Sequence, residues 1–177
     1  MKHVFLNQMR IRLYWFSQKS GWATIPWQNH PKEHIKIPKE TTLLANKPFL
    51  RQEDVQKILD AANAHAEKHD WAVTIAVCDD GGHLLGLIRR DGCAPVSSYI
   101  AQDKARASAM GKRESKVYED IINNGRTAFV TVPHIKGMLE GGVNIDVDGH
   151  TIGAVGVSGV KSADDAGIAR VGIAAIL

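Results

Sequence analysis

The 177 residues are 44% hydrophobic and 23% charged, with a formal net charge of +3, which supplies enough apolar material for one core-forming domain and excludes a disordered, charge-dominated chain. Residues 1–50 hold eight Lys/Arg against two acids, leaving 14 bases and 17 acids in residues 51–177; the larger part is mildly acidic and lacks a nucleic-acid footprint. Cys78 and Cys93 are too few and too far apart for a disulfide framework or a paired zinc knuckle, and no apolar run approaches the roughly 20 residues of a transmembrane span.

Residues 1–48 differ from the rest of the chain. They contain Trp15, Trp22 and Trp27, four of the six prolines and the chain's net positive balance, without sustained helical or strand periodicity. They read as an extension: a poorly structured or partner-binding arm, a targeting segment, or sequence translated from a start codon upstream of the natural one. Arg10 and Arg12 interrupt the apolar pieces Val4-Phe5-Leu6 and Leu13-Tyr14-Trp15-Phe16, so no secretory core is formed and a cytoplasmic location is expected.

The main domain, residues 49–177, opens on a helix. Val55, Ile58, Leu59, Ala62 and Ala66 recur at helical spacing opposite Lys57, Asp60 and Glu67, predicting a helix over 52–68. Ala72 to Val77 is a β-prone run, Asp79-Asp80-Gly81-Gly82 supplies turn residues, and Leu84 to Ile88 answers it, predicting an antiparallel hairpin. A second helix over 97–112 is rich in Ser98, Ala101, Ala105, Ala107, Ser108 and Ala109, small enough for close approach to a sheet. A shorter helix over 115–122 is stopped by Asn123-Asn124-Gly125. Two strands between Val143 and Val157 flank Asp146-Val147-Asp148-Gly149, and a last helix is expected over 163–176. Ser162, three residues before Asp165, has the spacing of a capping box at its start. Hairpin-linked strands with helices between them give an α+β class, an antiparallel sheet with helices packed on it.

These features carry a resemblance. The first amphipathic helix, the strand ending in Asp79-Asp80-Gly81-Gly82, Arg89-Arg90-Asp91-Gly92, Ser97 with Lys104-Ala105, and Gly153-Ala154-Val155-Gly156-Val157-Ser158-Gly159 with Asp165 together resemble the GlcG/HbpS family over about residues 49–177. The resemblance implies a profilin-like arrangement of α-β-α layers and assembly into a homo-oligomer. It also implies heme as ligand, with heme degradation, storage or sensing as the role. Two loops depart from the family pattern: Gly141-Gly142-Val143-Asn144 lacks the usual proline, and Pro133-His134-Ile135-Lys136-Gly137 replaces a glycine-rich stretch.

The chemistry-bearing residues fall into two groups. Ser158 and Gly159 precede a helix whose N-terminal amides and dipole favour a carboxylate or propionate, with Lys104 or Arg126 as the assisting cation. The alternative for Gly153 and Gly156 is that a neighbouring helix leaves no room for side chains. For an iron, imidazole is the favoured protein ligand. His65 and His69 lie four apart on the first helix; a helical wheel puts His69 within the apolar face and His65 at its rim. His65 is the first candidate for axial ligand, with Cys78, Cys93 and Tyr99 behind it. His83 and His150 adjoin glycines in turns, and His134 lies in a loop. No nucleophile elbow or acid-base constellation is visible. Two functions are expected: a heme-binding protein, or a non-redox accessory protein binding a small carboxylate or diol-pathway metabolite at the Ser158/Gly159 corner.

Overall fold

The computed structural model describes residues 46–177; the tryptophan-rich, basic stretch of the predicted extension lies outside the described residues. Helix α1 (Gln52–Lys68) leads into β1 (Thr74–Asp79) and β2 (Leu84–Arg89). Next come helices α2 (Ser97–Gly111) and α3 (Ser115–Asn123) and a 3-10 helix (Thr127–Thr131). Strands β3 (Gly142–Val147) and β4 (His150–Ser158) and helix α4 (Ser162–Ala174) complete the domain. The four strands form one sheet in the order β2-β1-β4-β3, every neighbouring pair antiparallel.

Both hairpins rest on residues that tolerate positive φ. Asp148 (φ 50°) and Gly149 (φ 76°) make a two-residue turn between β3 and β4 whose twist matches the flanking strands. In the first hairpin, the Asp79 carboxylate accepts the Gly81 and His83 amides at 2.9 and 2.8 Å. Burial works against its ionisation, but the His83 bonds and charge outweigh this and hold Asp79 below the ordinary carboxylate range. The acidic pair Asp79-Asp80 thus builds a turn, and Asp80 also pairs with Lys47.

The sheet separates two unlike helix layers. On one face, α1 and α4 cover the apolar core of Ile58, Leu59, Ile75, Val77, Ile145, Val155, Val157 and Ile168. The other face carries α2 at very short range. Gly142 pairs with Gly156 and Gly156 with Ala76 across three strands, leaving a lane without bulky side chains. A Cβ on Gly156 would lie 2.1 Å from Ala101 O, and one on Gly142 would lie 2.3 Å from Lys104 O. The small residues of α2 and of this lane are two halves of one contact. Two helices on one face and one on the other make the α-β-α layering expected from the sequence.

The structure corrects one local expectation. The Ser162–Asp165 capping box does not form: Ser162 is already inside α4, and Lys161 stands at the cap position without a side-chain bond. Asp165 is drawn instead to the buried ammonium of Lys104. The 3-10 helix is an addition that the periodicity of the chain did not signal.

Candidate functional site

At one end of the sheet, where β1 begins and β4 ends, the C-terminus of α1 presents a ring cluster. The His65 and His69 ring centroids are 4.5 Å apart, and His69 stacks on Trp71 at 4.5 Å with an interplanar angle of 20°. His69 Nδ1 lies 2.9 Å from the His65 carbonyl oxygen. A carbonyl only accepts, so Nδ1 carries a proton, and in the neutral ring Nε2 is the nitrogen with the lone pair. The helix ends at Lys68, which reverses the burial read from the helical wheel: His65 is half-buried and His69 exposed.

The Ser158–Gly159 corner adjoins this cluster. A Cβ at Gly159 would meet Ala72 O at 2.4 Å, and Ala72 directly succeeds Trp71. Gly159 has φ 155°, so both backbone conformation and the absence of space call for glycine. Ser158 is buried, in register with Thr74, and its carbonyl is 3.9 Å from Cys93 Sγ. His65 and the Ser158/Gly159 pair, separate candidates in the sequence, therefore belong to one edge of the fold.

Lys104 reaches the same strand end from the other layer, but its charge is already compensated. Its Nζ donates to Asp165 Oδ2 and to Val157 O, both at 2.9 Å, and the side chains of Lys104 and Asp165 are each 3% exposed. Asp165 Oδ1 accepts the Val160 amide at 3.2 Å. Gly141, φ 126°, lies against this pair: a Cβ there would be 2.6 Å from Nζ. Sequence reasoning placed Lys104 at the site and Asp165 in a capping box, without joining them. The available signal was a lysine within the sheet-facing stripe of α2, between Ala101 and Ala105, which demands a buried acid.

The remaining candidates are dispersed. Arg126 precedes the 3-10 helix and its guanidinium lies over the Phe129 ring, 4.9 Å from the centroid, away from the His65 edge. Burial pushes the Cys78 thiol up to about 12, removing it as a thiolate at neutral pH. Cys93 is buried, 3.5 Å from Thr74 Oγ1. Tyr99, His83, His134 and His150 are exposed. Among the described residues no three His, Cys, Asp or Glu side chains cluster as a metal site, and no helix is long and apolar enough to cross a membrane.

A separate cleft of about 410 Å³ lies between α3 and the segment leading into β3, lined by Glu119, Ile122, Asn123, Val130 and residues 135–139. Its far wall is pinned at three points. Ser115 Oγ donates to Leu139 O and accepts the Gly142 amide, the Glu119 carboxylate accepts the Glu140 amide at 2.6 Å, and Gly137, φ 64°, packs where a Cβ would lie 2.5 Å from the backbone of Asp103. Sequence reasoning singled out both flanking loops without identifying the cleft, because its walls meet only through long-range contacts.

Comparison with known proteins agrees with this architecture. Residues 50–174 match a family model described as haem degrading protein HbpS-like. The chain is 55% identical to protein GlcG of Escherichia coli over 115 residues, 65% of this chain and 85% of that protein. Among solved structures, a double mutant of Streptomyces reticuli HbpS aligns with a TM-score of 0.70 at 27% identity, covering 80% of this chain and 96% of that one. A PduOC:heme complex aligns with a TM-score of 0.67 at 27% identity, covering 73% and 96%.

Proposed function

We propose that this chain, which belongs to the family of HbpS-like haem-degrading proteins, binds heme in support of its degradation, storage or sensing. The observation that carries the reading is the His65–His69–Trp71 cluster beside the Ser158–Gly159 corner. These residues fit such a group. The pair offers imidazole nitrogen on an exposed and a half-buried ring, and the hydrogen bond from His69 Nδ1 to a backbone carbonyl is the kind of outer contact that fixes a ligating ring. Trp71 adds an apolar plate. His65 is the proposed axial ligand, His69 the second imidazole of the pair, and the backbone at Ser158–Gly159 the proposed partner of a propionate. Heme bound there would supply an iron able to activate oxygen or peroxide. Lys104 holds the strand end beneath the corner through Val157 O, whereas Arg126, over the Phe129 ring, is outside the proposed site.

The test is an absorbance titration with hemin. Wild-type protein is expected to give a saturable Soret shift, weakened roughly tenfold or more in His65→Ala. No saturable shift in wild type overturns the heme reading; a titration unchanged in both His65→Ala and the His65→Ala/His69→Ala double variant removes this pair as the iron ligand.

Self-association is proposed along β2. This strand is an edge of the sheet, and Leu84 and Leu85 at its start are 46% and 43% exposed, a combination that invites pairing with a second copy. Sedimentation velocity is expected to give a multiple of the chain mass, shifted toward monomer by Leu84→Lys/Leu85→Lys; an unchanged mass in that variant moves the contact elsewhere.

A further inference from the structure

We propose that the cleft between α3 and residues 135–139 is a binding site for an amphipathic monocarboxylate, independent of the heme edge. Its volume of about 410 Å³ falls within the roughly 300–1,000 Å³ of small-molecule sites. Ile122, Val130, Ile135, Met138 and Leu139 supply an apolar lining, and Val130 and Leu139 remain 66% and 47% exposed, so covering them with an alkyl chain would remove apolar surface from water.

Charge selects the headgroup. Lys136 is the sole cation of the lining and makes no ion pair among the described residues. The lining also contains Glu119, whose carboxylate is directed to the Glu140 amide, where it holds the wall together. An incoming carboxylate therefore meets one uncommitted cation and one acid already engaged by the backbone. The three anchors at Ser115, Glu119 and Gly137 keep the far wall in place without a ligand, which lowers the ordering cost of binding.

The experiment uses octanoate as probe, with 1-octanol as the uncharged control, on full-length wild type and Lys136→Gln, monitored by calorimetry and by amide chemical shifts. Saturable octanoate binding is expected, with shifts at residues 119–123 and 135–139 and an affinity about three- to fivefold above that for octanol, the range of a solvent-exposed charge contact. Lys136→Gln should erase that preference while leaving octanol binding intact. Absence of saturable octanoate binding, shifts confined to other segments, or an equal preference in Lys136→Gln would each overturn the proposal. Hemin titration of the same two proteins keeps the heme reading separate, since Lys136→Gln should leave the Soret response unchanged; a lost Soret response would merge the cleft with the heme site and overturn their independence.

Discussion

Lys104→Met is expected to lower the free energy of unfolding by about 3–5 kcal/mol, the usual cost of removing one partner from a buried ion pair. The Asp165 carboxylate, 3% exposed, would keep only the Val160 amide as a hydrogen-bond donor, and Val157 O would lose the Lys104 ammonium. Burial already raises the Asp165 carboxyl above the ordinary range, with the Lys104 hydrogen bond and charge opposing that rise; without Lys104 the opposition disappears. A carboxyl whose folded pKa lies above its unfolded value ionises more readily in the unfolded chain, so stability is fully present below the unfolded pKa and falls as pH rises toward the folded one. The loss in Lys104→Met should therefore be larger at pH 7 than at pH 4, as read from urea denaturation at the two values. An equal loss at both would assign the effect to the lost Val157 O hydrogen bond and stem packing and not to the stranded carboxylate.

The double variant Lys104→Met/Asp165→Leu separates pairing from desolvation. Replacing both charges removes the uncompensated carboxylate, and the double variant should be more stable at pH 7 than Lys104→Met alone, retaining a cost of about 1–3 kcal/mol for the unpaired backbone groups. A double variant as unstable as the sum of both single changes would mean that the two charges do not interact. Because the pair joins α2, the end of β4 and the first turn of α4, the same variants report on the Ser158–Gly159 corner: a weakened hemin response in Lys104→Met that returns in the double variant would place the pair in a supporting role.

Legibility in the sequence divides along the range of the interactions. Helix α1, both hairpins and the stop at Gly125 depend on local pattern and turn chemistry, and all were visible in the chain. The face of each strand was visible less clearly, because β1 and β4 are buried on both sides and their apolar runs lack simple alternation. Asp165 shows how a local rule can point to the wrong partner. Its spacing from Ser162 suits a capping box, but Lys104, 61 residues away, offers a full charge in a buried site. The joining of His65 to Gly159 was hidden for a related reason: their proximity passes through Ala72, in the β1 approach, and depends on β1 and β4 pairing in register.

Gly156→Val should be the most damaging single change in the sheet, with a cost above the roughly 1–3 kcal/mol typical of overpacking. The first added carbon would lie 2.1 Å from Ala101 O and 2.5 Å from Ala105 N. Both are backbone atoms of a helix, so no rotamer change relieves the overlap, and α2 must rise from the sheet as a unit. Lifting it would open the layer formed by Cys78, Ala105, Ala109 and Ala154 and draw Lys104 away from Val157 O and Asp165, coupling a purely steric change to the buried ion pair. Circular dichroism and urea denaturation of Gly156→Val are expected to show an unfolded or strongly destabilised domain, with Gly156→Ala already impaired because the clash begins at Cβ. By contrast, Gly167→Ala on α4, where an added Cβ meets nothing within 4 Å, should be neutral or stabilising by about 1 kcal/mol through helix propensity. If Gly156→Ala were as well tolerated as Gly167→Ala, the close seating of α2 on β4 would be refuted, and with it the reason for a glycine at position 156.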